Sequence, residues 1–436
     1  VKILIVDQDG VALSFILRAV AAGHKVRWFT SPKPTISDAI GKGFKGVDRI
    51  SNWVGSASWA DLIFCTSNDD YLEKLEFFRK KGYPVFAPSP ASAKLEISRK
   101  DGLQLLEKAG IECAPFQTFP TMAAAEKHAR KTEERFVFKT LGDNEDKSLT
   151  YVSKSPADLI AWMQRTPPPQ GEVMLQKFIS GIEMGVSRFM GSKGWVGQWN
   201  ESFEHKKLMP GNYGPNTGEM GTVAYFTETS KLGSETLGKL QEELMKRDHR
   251  GDSALGFIID EAGKPWPTEW TCRFGWPIAN MMLGATKGDP VAWMKDAVDG
   301  KDTTTFSEDI GVCLVLASAD FPHNFKDEKD THGAPIYGVT KGNSKHIHPQ
   351  YVQQMKQPVM KGDKLAEESI WSTAGNYNAV ITGFGDSVKQ AAARAYKTAD
   401  QLSISNPILR DDIGEMLKEQ LPKLHAQGYA LHCNYV

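Results

Sequence analysis

A chain of 436 residues with 41% hydrophobic and 24% charged side chains has the composition of a folded globular protein, and its length calls for about two to four domains. The formal net charge of −1 excludes a global field that would recruit nucleic acid or an anionic membrane, and no apolar run is long enough to span a bilayer. Five scattered cysteines without a CxxC pair argue against a disulfide framework and point to a reducing cytoplasm.

Val1–Val6 reads as a strand rather than a signal peptide, with KILIV as a continuous apolar run of the kind covered on both faces. Val11–Ala22, closed by Gly23, reads as a helix, and Lys25–Thr30, Asp61–Thr66 and Pro84–Ala87 read as further strands, with a helical stretch near Tyr71–Lys80. Strand and helix in alternation predict an open parallel sheet. Its first turn, Asp7-Gln8-Asp9-Gly10, lacks the GxGxxG dinucleotide fingerprint, so a dehydrogenase is not expected. Ligands of such sheets sit at the carboxyl ends of strands, here near Asp7–Gly10 and Thr66–Asp70. Ala91–Ala109 is helical in pattern, followed by strands at Arg135–Lys139, Leu149–Ser153 and Val173–Ile179. Ser155-Pro156-Ala157-Asp158 starts a helix with Ser as N-cap and Pro at the first helical position. Ala254–Asp260 and Trp266–Trp270 flank a hairpin. Ile310–Ala317 is another apolar run, and Ser387–Gln401 is helical. Asp320–Lys361 is polar and irregular and reads as loops. His346 and His348 form a close pair with no third metal ligand nearby.

The most informative stretch is GPNTGEMG, residues 214–221, behind Glu204-His205-Lys206-Lys207. Three glycines and a proline so close together exclude a helix and predict a tight loop with backbone N–H groups turned toward an anion. Cations lie ahead of it. Lys139 ends a strand before a polar loop containing Lys147, and two cations flanking a hairpin suit a triphosphate. Gln176-Lys177-Phe178-Ile179, followed by Glu183, offers a strand edge for a purine base and a carboxylate for ribose hydroxyls. Glu269 closes a strand beside Arg273, a divalent-cation ligand next to a guanidinium that can hold a carboxylate or acyl phosphate.

These residues, in this order, resemble glycinamide ribonucleotide synthetase (phosphoribosylamine–glycine ligase), a family of the ATP-grasp fold. GPNTGEMG differs at one position from the family's GPNTGGMG. Glu204-His205-Lys206-Lys207 stands where the family has Asp-His-Lys-Arg. Glu269–Pro277 resembles EFNCRFGDP, Lys94-Leu95-Glu96 parallels the N-terminal domain, and Arg410-Asp411-Asp412-Ile413-Gly414 matches a C-terminal RxDIG. The resemblance covers residues 1 to about 415. It implies an α/β ATP-grasp architecture with an N-terminal open parallel, Rossmann-like domain (1–97), an ATP-grasp core (98–116 and 183–308), a lid subdomain (117–182) and a C-terminal α+β lobe (309–436). It implies ATP-dependent joining of a carboxylate to an amine through an acyl phosphate, with ATP and Mg²⁺ (or Mn²⁺). ATP would meet Arg99, Lys139, Lys147, Gln176, Lys177, Phe178, Ile179 and Glu183, and the metal Glu269 and Thr271. Lys139, Lys206 and Arg273 would be catalytic. Small-molecule substrates would meet Asp7, Asp9, Gly10, Thr66, Asn68, His205, Pro215, Asn216, Thr217, Gly218, Met220 and Arg273. A monomer or weak homodimer is expected.

The departures concentrate on substrates. The family's Gly-rich first turn, GSGGREH, is replaced by Asp7-Gln8-Asp9-Gly10-Val11-Ala12-Leu13, whose carboxylates would repel a phosphate by about 1 kcal/mol or more each. The metal motif E-x-N becomes Glu269-Trp270-Thr271, and the Gly-rich lid loop becomes the acidic Leu141–Ser148. Acids at Asp7, Asp9, Asp69 and Asp70 would suit an amine, a cation or sugar hydroxyls. An altered amine, such as a modified nucleoside, is therefore weighed against phosphoribosylamine. The alternatives are a nucleotide-binding protein of the same fold without ligase activity and a bicarbonate-using ATP-grasp carboxylase. Glu219, where the family has glycine, has no assigned role.

Overall fold

The computed structural model describes residues 1–32, 37–68, 70–141, 149–323 and 332–436. The first apolar runs form an all-parallel sheet of β1 (Lys2–Asp7), β2 (Lys25–Thr30), β3 (Asp48–Arg49), β4 (Leu62–Cys65) and β5 (Val85–Phe86), in the order β3-β2-β1-β4-β5. Ile3, Leu4, Ile5 and Val6 are all fully buried, as a strand covered on both faces requires. The helical stretch after β5 is two helices, Pro90–Ile97 and Arg99–Lys108. Ser98 divides them: its side chain accepts from Asp101 N (3.3 Å) and caps the second helix, as Ser89 caps the first.

An antiparallel sheet follows, ordered β6-β9-β7-β8, from β6 (Phe116–Phe119), β7 (Phe136–Thr140), β8 (Tyr151–Val152) and β9 (Val173–Lys177). Helices Met122–Ala129 and Pro156–Arg165 cover it over a small core that includes Phe119, Phe138, Leu159 and Leu175. Ser155 N-caps the second helix, accepting from Asp158 N at 3.1 Å.

The remaining chain builds mainly one large antiparallel sheet. β10 (Ile182–Gly191) and β11 (Gly194–Glu204) are followed by a short hairpin of β12 (Lys207–Met209) and β13 (Tyr213–Asn216). Then come β14 (Gly221–Thr227), β15 (Gly251–Ile259), β16 (Pro265–Thr271) and β17 (Ile310–Ser318). After these run β18 (His332–Ile336), β19 (Ile347–Pro349), β20 (Val352–Lys361), β21 (Lys364–Ala374), β22 (Tyr377–Gly385) and β23 (Pro407–Ile408). The large sheet has the order β16-β15-β10-β11-β14-β17-β22-β19, with β23 also on β17. β18-β21-β20 forms a separate three-stranded sheet. Part of the segment expected as loops, Asp320–Lys361, is therefore strand: β18, β19 and β20 lie within it. Their pairing partners, β21 and β22, lie downstream, so a local pattern could not reveal them.

Two features of this layout position the site. β14 pairs with β17, Gly221 opposite Leu314, so the C-terminal lobe continues the central sheet. Aromatic side chains weld the parallel sheet to the large one: Phe64 meets Phe274 at 5.4 Å between ring centroids, and Phe189 meets Phe274 at 5.5 Å. The tail after residue 415 is a helix, Leu417–Ala426, that buries Leu417, Leu421 and Leu424, with Tyr429 and Cys433 beyond it, against the main core. No helix among the described residues is long and apolar enough to cross a membrane.

Candidate active site

The cleft lies between the small antiparallel sheet and the β15–β16 edge of the large one. Lys139 on β7 reaches across it, donating to Gln176 Oε1 on β9 (2.8 Å) and to Thr268 O on β16 (3.4 Å). Burial, with help from the Arg99 charge, lowers the Lys139 pKa to about 8. Arg99 donates to Thr140 O (3.1 Å) and Thr150 Oγ1 (3.0 Å). Two cations from different elements thus meet at the mouth of β7, as polyphosphate binding requires. Lys147 and the rest of 142–148 lie outside the described residues, as does Asp69.

Lys206 is the centre of the acidic side. Its ammonium lies 2.6 Å from Glu183, 2.9 Å from Glu269 and 3.5 Å from Glu204. Burial opposes its charge, but Glu269, Glu204 and Glu183 outweigh that and hold its pKa well above the usual lysine range. Glu204 is shifted upward by burial and by the neighbouring acids Glu183 and Glu269. Glu219 is raised further by burial and the Glu204 charge, and its Oε1 is buried with no hydrogen-bond partner among the described residues. Among the described residues, more carboxylates than cations therefore converge around Lys206, a deficit that a divalent cation arriving with ATP would relieve. The donors are hard oxygens that suit Mg²⁺ or Mn²⁺. No three acids among the described residues form a ready-made metal cage. That fits an ion held by one or two carboxylates plus phosphate oxygens, with Glu269 and Thr271 at the end of β16.

Arg273 follows β16. Its Nη2 lies 3.2 Å from Glu96 Oε1, and its Nη1 donates to Phe274 O (3.0 Å). Glu96 also accepts from Cys272 N at 2.6 Å, so one buried carboxylate fixes both the backbone and the guanidinium of this turn. Asp252 on β15 lines the same cleft as Lys206 and Glu269. Burial raises its pKa to about 7. Sequence reasoning missed Asp252, and a lone aspartate in a strand carries no local signal that could have found it. Glu96 was visible only as part of a matched triplet.

The 214–221 stretch is less open than expected. Residues 213–216 pair as a strand with Lys207–Met209, and the N–H groups of Thr217 and Met220 donate to Lys206 O and His205 O, each at 2.8 Å. These amides are spent on the chain itself and cannot cradle an anion. Gly218 faces open space. Gly221 is a packing glycine: a Cβ there would sit 2.6 Å from Cys313 O and 2.8 Å from Ile413. Two predicted substrate contacts are turned inward. Met220 is fully buried, packed with Val315 and Ala317. His205 is buried, with Nε2 accepting from Gly414 N (3.1 Å), and burial together with the Arg410 charge lowers its pKa to about 4. Pro215 and Asn216 are exposed on β13.

The hairpin is held from the far end of the chain. Arg410 pairs with Asp412 through two 2.7 Å contacts and donates to Lys207 O (2.9 Å) and Asn212 Oδ1 (3.3 Å), while Asp412 accepts from Gly211 N (2.9 Å). The matched C-terminal motif is thus a clamp on β12–β13.

At the parallel sheet, Asp7 was expected to face a substrate. It is instead fully buried and its carboxylate is saturated by four donors: Val11 N (3.2 Å), Ala12 N (2.8 Å), Trp28 Nε1 (3.0 Å) and Thr66 Oγ1 (2.8 Å). Thr66, another expected contact, is spent on it. Gly10 has φ 72°, the left-handed conformation the turn needs. Asp9 accepts through its carbonyl from Tyr351 Oη at 2.7 Å, and Asn68 Nδ2 is buried with no partner among the described residues. At the other end of the cleft, the Lys177 side chain is exposed and pairs with Glu134 (3.4 Å). The Arg135 guanidinium lies over the Phe178 ring at 3.4 Å, and Ile179 is half-buried beside it.

Residues 99–279 match the profile of the phosphoribosylglycinamide synthetase ATP-grasp (A) domain. A phosphoribosylamine–glycine ligase of Neisseria meningitidis serogroup B is 25% identical over 355 residues, 78% of this chain and 80% of that one. The crystal structure of phosphoribosylamine–glycine ligase from Thermotoga maritima aligns with a TM-score of 0.68 at 20% identity, over 95% of this chain and 100% of that one. The biotin carboxylase domain of the Hydrogenobacter thermophilus 2-oxoglutarate carboxylase, solved with MgADP and bicarbonate, aligns with a TM-score of 0.59 at 13% identity, over 94% of this chain and 91% of that one. These two structural likenesses establish the ATP-grasp fold.

Proposed function

We infer that this chain belongs with the phosphoribosylamine–glycine ligases, from the match of residues 99–279 to the phosphoribosylglycinamide synthetase ATP-grasp domain and from its relatives of that name. It is an ATP-dependent ligase that joins a carboxylic acid to an amine. The acid is glycine, and the amine is phosphoribosylamine or an amine related to it. The observation that carries this reading is the Lys206 ammonium held among Glu183, Glu204 and Glu269, with Lys139 approaching the same strand end from the opposing sheet. The sites for a polyphosphate and for a carboxylate thereby adjoin.

The acid's carboxylate oxygen attacks the γ-phosphorus, and the bond to ADP breaks. The amine nitrogen then attacks the acyl carbon, phosphate leaves, and the nitrogen gives up a proton. Lys139 and Arg99 hold the ATP phosphates, Gln176 and the backbone through Ile179 meet the base, and Glu183 meets the ribose. Glu269 and Thr271 would hold Mg²⁺ (or Mn²⁺), which would supply neutralisation of phosphate charge. Arg273, fixed by Glu96, holds the acid and the acyl phosphate, and Lys206 offsets the charge that develops between them. The five buried thiols accord with a reducing cytoplasm, where the chain acts as a monomer or weak homodimer.

The test is ADP release by the full chain with Mg·ATP, glycine and a panel of amines. At least one amine should raise ADP release well above the amine-free rate, and Lys139→Ala should abolish the rise. ATP binding with no ADP release for any acid and amine pair would establish the competing reading, a nucleotide-binding protein of this fold. Thr271 in the metal motif is the observation that keeps that reading in view.

A further inference from the structure

Resting on the ligase reading, we infer that the amine accepted at the N-terminal turn carries no phosphate group. In an open parallel sheet, the N–H groups of the first strand-to-helix turn are where a phosphate is held. Here that cradle is already filled from within. Asp7 Oδ1 accepts from Val11 N and Thr66 Oγ1, and Oδ2 accepts from Ala12 N and Trp28 Nε1. Asp7, Ala12 and Trp28 are fully buried and Thr66 nearly so, which leaves this carboxylate no room to swing aside for an incoming anion. A phosphate placed there would find its donors occupied and a negative charge at contact distance.

Among the described residues, Arg49 does not reverse this. It directs its guanidinium at Thr30 Oγ1 (3.1 Å) and Ile40 O (3.4 Å) and lies 3.5 Å from Asp38, and the Asp38 and Asp7 charges act on it, so it balances charges already present. Two further polar groups lie at the turn among the described residues. Asn68 Nδ2 is buried beside β4 with no partner among the described residues, and Tyr351 Oη is tied to Asp9 O. A buried amide donor calls for an oxygen acceptor on the ligand, and the filled Asp7 cradle is what disfavours a phosphate in that role. The substrate class is thus an unphosphorylated amine bearing hydroxyl or carbonyl oxygens, such as an amino sugar or an aminated nucleoside.

Calorimetric titration of the full chain with D-ribose and with D-ribose 5-phosphate, in the presence of Mg²⁺ and a non-hydrolysable ATP analogue, tests this directly. We expect the phosphate to add no affinity: equal binding within about twofold, or no detectable binding of either. Ribose 5-phosphate binding tenfold or more tightly than ribose to the wild type would overturn the inference. Asp7→Ser removes the plug, and the folded variant should gain at least tenfold affinity for ribose 5-phosphate; a folded variant that gains none counts against the inference. If that variant does not fold, the wild-type comparison decides alone. In the turnover assay with glycine, ribosylamine should release more ADP than phosphoribosylamine, and the reverse order overturns the inference. Absence of ADP release with every amine would sink the ligase reading, while the sugar comparison would still judge this one.

Discussion

Lys139 and Lys206 lie on one cleft yet obey opposite electrostatics, and the contrast decides what each substitution does. Lys206 is surrounded by carboxylates and stays charged, whereas burial and Arg99 push Lys139 down to about 8. Without a ligand, the charged Lys139 is a liability: its folded pKa lies below its unfolded value near 10.5, so the folded state loses the proton first. Its penalty is complete below about pH 8 and is relieved as the pH rises from there toward the unfolded value. Lys139→Met should therefore raise the Tm of the ligand-free protein at pH 7 and lose most of the stabilisation that Mg·ATP gives the wild type. The Tm gain should shrink as the pH approaches 10. Scanning calorimetry with and without Mg·ATP measures both, and a variant no more stable than wild type at pH 7 would refute the assignment. Both lysines were legible in the sequence, because a strand end and a charged run before a glycine loop are local signals. The Asp7 plug was not, since Trp28 and Thr66 reach it from other strands.

At the scale of the element, the β12–β13 hairpin is too small to stand alone, and Tyr213 and Met209 on it are largely exposed. What fixes it is the buried Arg410, which ties Lys207 O and Asn212 to Asp412. Lys206 immediately precedes this hairpin, so the clamp positions a residue that the reaction uses. Arg410→Lys keeps the charge but loses the planar fork. We expect it to destabilise the chain by about 2 kcal/mol, as buried charge-assisted bonds are worth, and to raise KM for the acid at least tenfold with a smaller fall in kcat. Arg410→Ala should do the same more strongly. Unchanged KM in a folded Arg410→Lys variant would remove the positioning role. The two ends of this clamp each stood out in the sequence as short motifs. Their contact did not, because some two hundred residues separate them and nothing in either motif names its partner.

At the scale of the whole molecule, strand–helix alternation made the N-terminal parallel sheet readable, because adjacent elements in sequence are neighbours in space. The large sheet defied the same reading. β10, β11 and β14 are long and paired, but their order in the sheet depends on partners as distant as β17 and β22. A consequence follows for the boundary the sequence suggested near residue 309. β14 pairs with β17 through Gly221–Ala224 against Gly311–Leu314, and β17 is buried along its whole length. The C-terminal helix adds Leu417, Leu421 and Leu424 to the core that holds Val223 and Tyr225. A chain ending at residue 308 would expose the β14 edge and the apolar face that these residues cover, with about 1.5–3 kcal/mol lost for each large side chain uncovered. An exposed apolar edge strand is also an aggregation template. We therefore expect residues 1–308 to aggregate or to bind Mg·ATP without a cooperative thermal transition, whereas the full chain melts cooperatively and shifts upward with Mg·ATP. A soluble, cooperatively folding 1–308 fragment would show that the central sheet closes without its C-terminal strands, and that β17 is an appended layer.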